Sequence, residues 1–243
     1  MSFVSVYARL YVSCLVRAIS GVKRAPWTLL LPWACFVLHA FTLRTIAQLF
    51  GLAGAGGQLI GGFAAAIASA AVLSGYFYFV GELVAESKVS LAEFRRALGA
   101  YLWSFVNLAF VLWVVNFVTS RLFQGPSQAA VTLFVSLASF VLLNAAPEII
   151  YQRGTSGGLA TVQGSMRFIQ ATWIEWFIPN LAIAAGLWFG VSVLWDRLPY
   201  GPVSWAASAV AGALLHVFFL FRGHLFKELG ASSHRQRMYR YRA

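Results

Sequence analysis

Six apolar runs of about 20 residues each decide what this chain can fold into. They lie near 27–49, 58–82, 101–121, 128–151, 173–195 and 203–222. At 1.5 Å per residue, a helix of that length crosses the ~30 Å hydrocarbon core of a bilayer. The expected fold class is all-α: a polytopic transmembrane helical bundle of six spans. Composition agrees, since 60% of residues are hydrophobic and 10% charged, whereas soluble domains carry ~25% charge. The runs divide the chain into residues 1–25, a six-span domain over 26–228 and a basic tail over 229–243.

The net charge of +11 does not point to nucleic acid, because a basic soluble binder would not carry this much apolar sequence. Beside membrane spans, Lys and Arg set topology and meet anionic lipid. Fifteen of the 18 fall on one side of the predicted membrane, in the N-terminal segment, in the loops near 83–100 and 152–172, and in the tail. Arg44, Arg121 and Arg197 remain for the other side. The positive-inside rule then places both termini in the cytoplasm. No cleavable leader is expected, since Arg9 and Arg17 interrupt the first apolar stretch.

Within that first stretch, Ser5, Arg9, Ser13, Arg17, Ser20 and Lys23 recur every three or four residues, with Phe3, Val6, Tyr7, Leu10, Tyr11, Cys14, Leu15 and Ile19 on the rest of the surface. This pattern predicts an amphipathic helix lying in the interface, ended by Pro26 and followed by Trp27. Similar basic segments precede the third and fifth spans, at 90–103 and 159–176, with Trp103, Trp173 and Trp176 as interfacial tryptophans. The even-numbered spans end alike, in "VGELV", "APEII" and "RGHLF", which aligns Glu82, Glu148 and His224 as helix ends. A threefold repeat of interfacial helix and hairpin is one reading of these parallels. Common demands at every basic helix end are the other.

The stretch "APEIIYQRGTSGGLATVQGSMRFIQATWIEWFIPN" (146–180) resembles a pattern in bacterial six-span proteins of the YciC-like group, relatives of the membrane domain of some glycerophosphodiester phosphodiesterases. The features that carry the resemblance are the Ala-Pro at the helix end, a glycine-containing turn, Ser165 and Arg167, a tryptophan six residues later, and Pro179 in the next span. It implies a helical inner-membrane protein without an assigned catalytic activity.

Enzyme signatures such as H-E-x-x-H, G-x-S-x-G or a Walker lysine are absent from the sequence. "GLAGAGG" (51–57) reads as a flexible turn, not a phosphate loop. The seven carboxylates come from separate segments, and salt bridges to arginine are expected for them. Cys14 and Cys35 show no disulfide or zinc spacing, and His39 and His216 are too few for a metal. No cofactor is expected.

Asn107, Asn144, Asn180 and His216 each fall roughly 10 Å below the cytoplasmic surface of their spans. Polar groups in lipid turn inward and find partners, so these four are expected to form a polar layer, either bonding the spans together or lining a hydrated cavity. The basic face, with Arg9, Arg17, Arg235, Arg237, Arg240 and Arg242, is the candidate site for anionic lipid. The expected function is non-enzymatic: a scaffold or accessory subunit meeting membrane lipids and a protein partner or second copy. The alternative is a transporter or channel for a small solute or lipid that uses the polar layer.

Overall fold

The computed structural model describes residues 3–51, 54–87, 89–125, 127–189 and 201–241. It is all-helical, with no strand among the described residues. The helices are α1 (Phe3–Arg24), α2 (Leu31–Phe50), α3 (Gly54–Val84), α4 (Phe94–Ala100), α5 (Leu102–Leu122), α6 (Ser127–Leu142), α7 (Ala146–Arg153), α8 (Gly158–Phe189), α9 (Pro202–Ala231) and α10 (His234–Arg240). Among the described residues, five helical segments are long and apolar enough to cross a membrane: Pro26–Phe50, Gly56–Val84, Leu91–Leu122, Ser127–Arg153 and Pro202–Ala231. The chain has the helices of a multi-pass membrane protein. The end of the predicted fifth span, 190–195, lies outside the described residues.

Two compact units make up the chain. One comprises Met1–Ala34, Glu82–Val89 and Gln170–Ala243, the other Cys35–Gly81 and Ser90–Ile169. In the first unit α1 lies along α9. Its buried side is a stripe of Val6, Leu10, Cys14 and Ala18 at helical spacing, while Val12, Val16 and Ile19 stand exposed on the opposite side. An amphipathic helix with a second apolar face is what the first 24 residues encode. In the second unit Phe77 stacks on Phe105 and Tyr151, with ring centroids 5.6 and 5.8 Å apart. Gly158 opens α8 against α5, where a Cβ would fall on the carbonyl group of Asn107, 2.8 Å from its carbon and 2.9 Å from Val111 Cγ2.

Helix breaks recur, and a hydroxyl serves the freed backbone at four of them. Between α4 and α5, at Tyr101 (φ −122°, ψ 12°), Ser74 of α3 inserts into the ladder: its Oγ donates to Ala97 O (2.9 Å) and accepts from Tyr101 N–H (2.8 Å). Between α6 and α7 the N–H of Ala146 turns to Leu143 O, and Ser165 donates to Leu142 O at 2.7 Å. Between α1 and α2, Thr28 donates to Ala25 O at 2.7 Å. In α8, Pro179 has no N–H to offer Glu175 O four residues earlier, and Tyr11 donates to that oxygen at 3.0 Å. Without water to hydrate a broken ladder, a buried carbonyl must find a donor within the protein.

The fourth predicted span, 128–151, corresponds to the apolar helical segment Ser127–Arg153, which one of these breaks divides before Ala146. Pro147 sits in the first turn of α7, where proline costs no hydrogen bond. The helix therefore continues past it to Arg153 and ends at Gly154, whose φ of +66° suits glycine. Glu148, expected at the interfacial end of the span, is fully buried. It stands in the first turn of α7, where the positive end of the helix dipole favours a carboxylate.

Candidate functional site

Residues 229–243, expected as a solvated or lipid-held basic tail, instead fold back in their described part. Leu229 to Ala231 complete α9, and α10 is capped by Ser233, whose hydroxyl accepts from Gln236 N–H at 3.3 Å. Two of the residues of α10 meet on one carboxylate oxygen. Glu175 Oε1 is 3.2 Å from Tyr7 Oη of α1, 3.2 Å from His234 Nδ1 and 3.2 Å from Arg237 Nη2 of α10. Glu175 is 6% exposed and Arg237 4%. Arg237 Nη1 donates further to Leu229 O at 3.2 Å and to Ser232 O, while its buried Nε has no partner.

A second acid repeats the arrangement. Glu228 of α9, also buried, receives Arg240 of α10 on one oxygen and lies 3.6 Å from Arg17 of α1 through the other. Two carboxylates thus form a seat for the arginines of α10. Burial, and after it the nearby Glu175 charge, pushes the Tyr7 phenol up to about 12, so Tyr7 donates its proton at any physiological pH. Burial also raises Tyr11 above the usual tyrosine range and pushes the Cys14 thiol up to about 11.

Next to Tyr11 opens an apolar groove of about 610 Å³ between α1, α8 and α9. Ala182 and Gly186 of α8 leave the space, and Leu214, Phe218 and Phe221 of α9 form the facing wall. Val12, Leu15 and Leu214 at its edge are exposed. Close by, the Arg222 guanidinium lies over the Trp176 ring at 4.9 Å. Trp176, expected as an interfacial anchor, is accordingly fully buried, whereas Trp103 and Trp173 are exposed.

Three of the residues predicted as a polar layer, Asn107, Asn180 and His216, have different partners. Exposed Asn107 donates to Ser156 O at 2.8 Å, which pins the turn between α7 and α8. Asn180, buried, donates to Trp176 O of its own helix, and its Oδ1 is unpartnered. His216 Nε2 lies 3.1 Å from Thr28 Oγ1. Because the Thr28 proton goes to Ala25 O, Nε2 is the protonated ring nitrogen. Asn144 is half-buried in the break before α7.

Of the aligned helix ends, Glu82 is half-buried and His224 is 2% exposed with Nε2 unpartnered. Among the candidate lipid arginines, Arg9, Arg17, Arg235 and Arg240 are exposed. Arg237 is not available to lipid in this arrangement, being buried on Glu175. Arg242 lies outside the described residues.

Sequence reasoning passed over Glu175, Glu228, Tyr7, Tyr11 and His234 as site residues. One signal was present: Glu175 stands four residues before Pro179, the spacing at which a proline frees a helical carbonyl. No protein-family model, curated protein or solved structure matches the chain.

Proposed function

We propose that the chain is a six-span protein of the bacterial inner membrane with both termini in the cytoplasm, which performs no chemistry and engages anionic phospholipid as a scaffold or accessory subunit. The observation that carries this reading is the groove between α1, α8 and α9. Its size lies within the ~300–1,000 Å³ range of ligand sites, and its edge residues are exposed where α1 turns its outer apolar side outward. The occupant is one acyl chain of a phospholipid. Arg9 stands three residues before Val12 at the groove edge, and residues at that spacing are neighbours on a helix. A chain lying in the groove therefore has its phosphate within reach of a cation.

The resemblance of residues 146–180 to six-span bacterial proteins supports the topology. So do the three junctions at which a basic amphipathic segment breaks before an apolar helix, at Ala25, Tyr101 and Thr172; the last two share a near-identical backbone (φ −122°, ψ 12° and φ −140°, ψ 21°). The partners of Asn107 and His216, each on another segment, favour bonding between segments over a hydrated path.

Native mass spectrometry from gentle detergent tests the reading. The intact protein should carry phospholipid adducts of anionic class. Gly186→Phe should remove them, because a side chain there starts in open space and fills the groove. Adducts that are unchanged in Gly186→Phe, or that show no preference for anionic lipid, would sink the proposal.

A further inference from the structure

The seat of α10 is built in a way that favours release. Arg237 is buried with its Nε–H unsatisfied, and a buried donor left without an acceptor carries its whole desolvation penalty. Burying an ion pair also removes two charges from water, so pairs such as Glu175–Arg237 add little net stability. Meanwhile α10 already presents an interfacial side to the outside: Arg235 and Tyr239, four residues apart, are both exposed, Tyr239 at 84%. Aromatic and basic residues at that spacing make the surface that binds an anionic bilayer.

We propose that residues 232–241 are a membrane-binding segment held in reserve, with the Glu175–Glu228 seat and an anionic phospholipid surface competing for Arg237 and Arg240. Seated, the segment offers the membrane Arg235 alone among its fully unpaired arginines. Released, it frees Arg237 and Arg240, on its other side, for phospholipid headgroups as well. Tyr7 and Arg17 connect the event to α1, since they share the two seat carboxylates with α10. Release also breaks the contacts of Arg9 and Ser13 of α1 with Tyr241, 3.5 and 3.4 Å long in the seated state. The inference rests on the reading that this basic face meets anionic lipid.

The test measures the distance between spin labels at Ser20→Cys on α1 and Tyr239→Cys on α10, in full-length protein with Cys14 and Cys35 replaced by alanine. Nanodiscs of pure phosphatidylcholine should give one short distance. Adding phosphatidylglycerol should raise a longer-distance population by roughly thirtyfold, the scale expected of two further arginines at an anionic surface. In phosphatidylcholine alone, Glu175→Gln in the same doubly labelled protein, with Arg235 retained, should populate the longer distance. Identical distributions in the two bilayers would overturn the proposal without reliance on any seat variant, as would a Glu175→Gln protein that stays seated. The groove experiment reads bound lipid with the seat intact, so the two proposals fail separately.

Discussion

The hydroxyl of Tyr11 lies 3.0 Å from the carbonyl oxygen of Glu175, the backbone acceptor that Pro179 leaves without its helical amide. A side chain on α1 thereby completes the hydrogen bonding of α8. The pair predicts a specific non-additivity. Tyr11→Phe should destabilise the protein by about 1–3 kcal/mol, the cost of an unsatisfied buried carbonyl. In a Pro179→Ala background, where residue 179 supplies an N–H, the same substitution should cost less than half as much. Denaturant unfolding in detergent of the four proteins of this cycle measures the difference; equal costs in both backgrounds would refute the role given to Tyr11.

Ser74 serves two backbone groups at once, so its loss should be felt more than a single hydrogen bond. Ser74→Ala is expected to cost about 2 kcal/mol or more. Ser69→Ala, which removes a hydroxyl bonded only within its own helix, should cost less than ~0.5 kcal/mol. Melting temperatures of the two variants in one detergent provide the comparison.

Gly158 touches α5 where no side chain fits. Gly158→Ala should lose about 1–3 kcal/mol through displacement of the Asn107 carbonyl, whereas Gly186→Ala should be near neutral because its Cβ enters open space. Thermal unfolding of the two variants should separate clearly.

Cys14 is buried against α9 with its thiol pushed up to about 11. The nucleophile is the thiolate, so at pH 7 the reactive fraction is about one in ten thousand for a group titrating there. Its alkylation should accelerate about tenfold for each unit of rising pH up to that value and then level off. Intact-mass measurement of maleimide labelling should find Cys14 unmodified at pH 7 in the folded protein and fully modified after denaturation. Rapid labelling of the folded protein would place the side chain elsewhere.

Helices and their approximate limits were legible because they depend on local pattern. The run lengths marked the apolar segments, and the alternation of Arg9, Ser13 and Arg17 with Leu10 and Cys14 marked α1. The polar residues were less legible for a physical reason. Position along a span gives depth, but a segment apolar all round has no period from which to read direction. Asn107 was thus assigned a depth, yet not its turn toward Ser156. The seat of α10 lay further out of reach, since Arg237 and Glu175 are 62 residues apart and no periodicity connects a carboxylate to a distant arginine.

The hydroxyl of Ser74 lies in α3, while the bend it maintains lies between α4 and α5. The shape of one segment is therefore encoded in another that precedes it in the chain. During synthesis, residues 91–122 should enter the bilayer as a straight rod and acquire their elbow only when α3 is alongside. Assembly order becomes part of the architecture, and an isolated peptide of those residues in micelles should lack the corner that the whole protein has.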